Sequence, residues 1–119
     1  MAVIAYPGNL ATAQAGTGDS TNTIQRVGGE INGRQMVLRV TTNAGTTITF
    51  TIKGSVDGTT FVNVPYSVGS AVAGDFVTAA ITTTTAKTEL YFLMPGQPWL
   101  FLKTNASANT GMTPTTDLL

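Results

Sequence analysis

"ITFTIKGSVDGTTFVNVP", residues 48–65, carries the decisive pattern. Ile48, Phe50, Ile52 and Val56 fall on one side of an extended chain, and Thr47, Thr49, Thr51 and Lys53 on the other. Successive side chains of a strand point to opposite faces, so this period of two predicts a strand with one face buried. Asp57-Gly58 follows. In a two-residue type I′ turn both central residues need positive φ, which suits this pair, so a hairpin turn is expected there. "TFVNV" at 60–64 then reads as the return strand, closed by Pro65, which has no backbone donor.

Working outward, "MVLRV" at 36–40 places Met36, Leu38 and Val40 on one face of a strand spanning 35–42, with Val37 and Arg39 on the other. A short strand and a Gly-rich turn precede it, within 24–34. "DFVTAAITTTT" at 75–85, "ELYFLM" at 89–94 and "WLFLKTNAS" at 99–107 supply further strands. The second of these is almost continuously apolar. The third sets Trp99 and Phe101 against Leu100 and Leu102. Six to eight short strands at regular spacing, with no helical period, predict an all-β chain: a single antiparallel β-sandwich or jelly-roll-like domain.

The ends read differently. Residues 1–23 are small and polar after an apolar start, too poor in apolar surface to offset the entropy of ordering them. They are expected to form a flexible, extended N-terminal arm whose tip, Val3, Ile4 and Tyr6, anchors a partner. The sandwich domain is expected over 24–111 and a polar C-terminal tail over 112–119.

Composition narrows the function. The chain has 119 residues, six basic and six acidic, no cysteine and no histidine. Disulfides and thiolate or imidazole metal sites are excluded, as is the side chain most used for proton transfer near neutral pH. Only 10% of residues are charged, which argues against a basic nucleic-acid surface. Roughly a fifth are threonine, which suits the exposed face of a sheet. No apolar run approaches the ~20 residues of a membrane-spanning helix, and the start lacks a secretory leader, so the chain is expected to be made and used in a cytoplasm, or exported only by cell lysis.

The acids are Asp19, Glu30, Asp57, Asp75, Glu89 and Asp117. Their spacing matches no nucleophile elbow, phosphate loop or calcium loop. A turn accounts for Asp57. The expectation is a protein that is not an enzyme and holds no metal or cofactor. Trp99, Tyr91 and Phe101 raise one alternative, a ring platform on which a sugar stacks.

The hairpin residues Gly54, Ser55, Asp57, Gly58 and Phe61, taken with the later Trp99-Leu100-Phe101-Leu102 run, resemble a pattern in small virion proteins of tailed bacteriophages. The resemblance covers residues 48–111. It implies a head decoration (cement) protein: a homo-oligomer, with a trimer favoured, that binds the major capsid protein on the outside of an assembled shell and stabilises it. Its place would then be the virion, with neither nucleic acid nor membrane as partner. The alternative is a carbohydrate- or cell-surface-binding module such as a tail or head-fibre component.

Overall fold

A computed structural model describes residues 2–26, 36–43, 45, 47–68, 76–95, 98–109 and 114–119. Among them are β1 (Ala2–Ala5), β2 (Gly8–Ala11), β3 (Gly18–Asp19), β4 (Asn22–Gln25), β5 (Val37–Thr42) and β6 (Ile48–Ser55). Then come β7 (Val62–Asn63), β8 (Tyr66–Val68), β9 (Ile81–Thr83), β10 (Lys87–Leu93), β11 (Phe101–Asn109) and β12 (Thr115–Leu118). No described residue is helical. One sheet runs β1-β4-β11-β6-β7, with β3 also on β11 and β9 also on β6. The other runs β2-β12-β5-β10-β8. The chain is therefore all-β, a sandwich of two packed sheets.

The core lies between them. The seven-stranded sheet sends in Ile24, Ile48, Phe50, Ile52, Leu102 and Ala106; the five-stranded sheet sends in Leu10, Leu38, Val40, Tyr91, Leu93 and Leu118. Phe50 and Tyr91 meet edge to face across the gap, ring centres 6.0 Å apart, and Tyr66 meets Tyr91 likewise at 5.8 Å. Burial of each such side chain is worth roughly 1.5–3 kcal/mol before entropy is counted. The period-two reading holds in β5 and β6: Leu38 and Val40, and Ile48, Phe50 and Ile52, are all buried.

Three features differ from the sequence reading. Val56 is 52% exposed, because β6 ends at Ser55 and the chain turns away before Val56 can face inward. The hairpin is not a two-residue turn. Gly54 pairs with Val62, so the chain from Ser55 to Phe61 forms a longer loop. Gly58 alone in that loop has positive φ (81°), and the return strand is only Val62–Asn63. The sandwich is also not wholly antiparallel, since β1 runs parallel to β4.

The ends differ most. Residues 1–23, read as an arm, supply β1, β2, β3 and the start of β4. Residues 112–119, read as a tail, supply β12, which lies between β2 and β5. Composition misleads here because these strands gain their order by pairing with distant strands and by a few buried side chains rather than by an amphipathic period of their own. Leu10 and Leu118 are each 1% exposed, and both belong to the core. Of the expected anchors, Ile4 and Tyr6 pack against the core and Val3 alone projects outward, 56% exposed. The Gly-rich turn after β4, Glu30, and the connection that includes Asp75 lie outside the described residues.

Candidate interaction surface

The acids come first, because any chemistry here would rest on them. Asp57 Oδ1 accepts hydrogen bonds from the Thr59 amide (2.8 Å), the Thr60 amide (2.9 Å) and the Ser55 hydroxyl (2.8 Å). Ser55 Oγ in turn accepts from the Gly58 amide at 2.9 Å. The Thr60 amide foremost, then Thr59 and Ser55, hold the Asp57 carboxyl down at about 2. Asp57 and Gly58 thus share one loop, with the carboxylate as its internal cap.

Asp19 accepts from Lys103 Nζ (2.8 Å) and Asn105 Nδ2 (2.7 Å). Burial pushes its carboxyl up, but those two hydrogen bonds outweigh it and the net displacement is downward. Asp117 accepts from Asn9 Nδ2 (2.8 Å) and Arg39 Nη2 (3.0 Å), tying β2, β12 and β5 together. These three carboxylates sit apart, each occupied by its own neighbours. Among the described residues, no three metal-ligating side chains cluster.

The three rings proposed as a sugar platform do not share a surface. Tyr91 is 3% exposed in the core. Burial raises its phenol above the ordinary value. Trp99 packs over Gly54, where a Cβ would lie 2.8 Å from the indole. Phe101 sits on the other sheet from Tyr91, beside Gly58.

What remains is the outward face of the five-stranded sheet. Register sets its side chains in rows across the strands. Thr115, Thr41 and Thr88 form the first row, with Thr41 and Thr88 hydroxyls 3.2 Å apart. Asn9, Asp117, Arg39 and Leu90 form the second. Leu119, Val37 and Phe92 form the third: Leu119 and Val37 exchange backbone hydrogen bonds of 2.8 and 3.1 Å, and Phe92 pairs with Val37 and, on its other side, with Ser67, which is itself buried.

The face therefore grades from hydroxyl to ionic to apolar. Leu90 is 38% and Leu119 43% exposed; Val37 and Phe92 are half-buried. Beside the second row, Pro7, Gly8, Asn9, Arg39, Asp117 and Leu119 line a shallow open depression of ≈ 260 Å³. Scattered surface leucines need no explanation, whereas contiguous exposed apolar patches are found more often at docking sites. Periodicity alone did not locate this surface. The near-continuous apolar run at 89–94 was its signal, since one face of β10 fills the core and the other, Leu90 and Phe92, is left outside.

No family model, curated protein or solved structure matches the chain.

Proposed function

We propose that this is a non-enzymatic structural protein of a bacteriophage virion, which binds the outside of the capsid through the outer face of its five-stranded sheet and stabilises the shell. The observation that supports this reading is the apolar row Leu119-Val37-Phe92, with Leu90 beside it, of which Leu119 and Leu90 are exposed and Val37 and Phe92 half-buried, on the outer face of the sheet. An interface of this kind needs an apolar centre and a polar rim. The Arg39–Asp117–Asn9 row and the threonines beyond it supply the rim on one side. The carboxylates support it as well, since Asp19, Asp57 and Asp117 are each engaged in holding strands or a loop.

Docking of the apolar row would add to the shell's stability, because a ligand that binds only the intact state shifts the balance toward it. Linked copies amplify weak single contacts, with avidity gains of ~10²–10⁴.

The test uses undecorated capsids. Purified protein is mixed with them, and the protein that sediments with the shells is weighed, as is the shells' resistance to heat. Binding and added resistance are expected. Leu90→Lys should leave the melting temperature of the free protein nearly unchanged, as exposed positions shift stability by only about 0.5 kcal/mol, yet abolish sedimentation with shells. Thr51→Lys, on the outer face of the opposite sheet, should bind as the parent does. Shells left bare by the parent protein would overturn the reading.

A further inference from the structure

A sandwich is open at its sheet edges, where unpaired backbone groups invite another strand. Among the described residues, most outer strands are blunted. β7 and β8 are two and three residues long. β2 meets β12 through a register shift between Thr116 and Asp117, and the Asn9 carbonyl on it already accepts from Asn22 Nδ2 at 2.9 Å. β1 carries none of these devices. It is four residues of Ala, Val and Ile, uncharged and free of proline, with Ala2, Val3 and Ala5 exposed.

Its pairing decides which backbone groups are left over. β1 lies parallel to β4 with Ala2 opposite Asn22 and Ile4 opposite Ile24. The Ala2 amide donates to the Thr21 carbonyl (3.2 Å) and the Tyr6 amide to the Gln25 carbonyl (3.0 Å). Alternate residues of a strand serve the same neighbour. Ala2, Ile4 and Tyr6 therefore aim their amides at β4, while the N–H and C=O of Val3 and of Ala5 point away from the sheet. Buried backbone groups of this kind are almost always paired, and an exposed row of them is a template.

We propose that β1 pairs antiparallel with β1 of a second copy of this chain, about a two-fold axis at Ile4. The register follows from the outward groups. Val3 faces the partner's Ala5, and Ala5 faces the partner's Val3. Each such pair exchanges both of its N–H···O=C bonds, as hydrogen-bonded antiparallel pairs do. Side chains suit the same register. Ala2 comes opposite the partner's Tyr6 and Val3 opposite the partner's Ala5, so off the axis a small residue meets a larger one, and on the axis Ile4 meets its own copy. The two-fold also returns each group to its own complement, so a second copy satisfies every outward group. Zero formal net charge opposes the approach of copies only weakly. The contact is isologous and closes at two, so it makes a dimer in place of the trimer that the phage resemblance implies. The seven-stranded sheets of the two copies become one sheet.

The inference stands apart from capsid binding and is tested without shells. Sedimentation equilibrium of the full chain over a concentration series should give a monomer–dimer balance. Val3→Pro removes an outward donor and leaves the bonds to β4 in place, so it should weaken the dimer about tenfold or more. Because proline also restricts the chain around Val3 and so acts on β1 itself, a charge pair serves as the second test. The two Val3 side chains lie on a diagonal across the axis, about 7–8 Å apart. Val3→Lys and Val3→Glu should each dimerise poorly alone and recover when mixed. Hydrogen exchange at the Val3 and Ala5 amides should slow as concentration rises. A trimer, a monomer at every concentration, or a dimer in which these two amides exchange freely overturns the proposal.

Discussion

The two sheets share one core but turn different surfaces outward. On the seven-stranded sheet the outer positions of β6 and β11 are Thr49, Thr51, Lys53, Phe101, Lys103 and Asn105, with Phe101 tucked beside Gly58 of the hairpin loop. Lys53 and Lys103 stand directly opposite each other, a repulsive pairing. It is relieved by Asp19, which accepts from Lys103, and by the Phe61 ring, 4.2 Å from Lys103 Nζ. Apart from Phe101 and Phe61 beside the hairpin loop, this face is polar. On the five-stranded sheet the corresponding positions of β10 are Thr88, Leu90 and Phe92. The core does not require them, since Tyr91 and Leu93 already fill the inner side. A sheet needs one apolar face to fold. The second apolar stretch of β10 is surplus to folding, and that surplus is what supports the proposed docking face.

The sharpest way to break this comparison is to remove the frame that holds the graded face. β12 joins β2 to β5, and Leu118 lies between Gly8 and Leu38 with 1% exposure. Leu118→Ala should cost about 2–5 kcal/mol, the usual range for truncating a fully buried leucine. Denaturant unfolding measures it. A loss near that of a surface substitution would mean that β12 is dispensable, and the apolar row would then lack its Leu119 end.

A smaller effect is expected in the hairpin of the opposite sheet. Gly58 has φ +81°, and a Cβ there would lie 3.2 Å from the Phe101 ring. Gly58→Val should cost about 1–2 kcal/mol through backbone strain. Its outer-face consequence is specific: Phe101 must shift while the rows of the five-stranded sheet stay in place. A variant that melts like the parent would mean that the loop relaxes into another turn.

What was legible in the sequence follows the same division. Ile48, Phe50 and Ile52 announce β6 because a half-buried strand beside a polar face writes its period into the chain. Leu38 and Val40 do the same for β5. The strands at the ends write no such period. In β2 both Leu10 and Ala11 are buried, and in β4 both Thr23 and Ile24 are. These strands are covered on both sides, so alternation is lost and small polar residues suffice. The Asp57-Gly58 pair signalled a turn correctly but not its length. Asp57 takes its place by accepting amides, and only Gly58 needs positive φ. The outward row was half legible: the apolar run through Leu90 and Phe92 is in the sequence, but its meeting with Val37 and Leu119 is a product of register.

The smallest expected effect concerns acid. The Asp57 carboxyl is held near 2 in the folded protein against an ordinary value of 3.8, chiefly by the Thr60 and Thr59 amides and then by the Ser55 hydroxyl. A folded value below the unfolded one means that ionisation favours the fold. That contribution is fully present above about 3.8 and is lost as the pH falls from there through about 2, where both states are protonated. Asp57→Asn keeps the side chain's shape and removes its charge. Thermal melts of the two proteins should therefore differ by a constant amount above about 3.8 and converge toward about 2. Asp19 bends the parent's own acid curve in the same direction, since its carboxyl is also lowered, but it is present in both proteins and cancels in the difference. The comparison thus isolates one loop of the polar-faced sheet. If the gap between the two melts stays constant down to about 2, the carboxylate's charge is not what organises the hairpin, and the loop is held by Ser55 and the backbone alone.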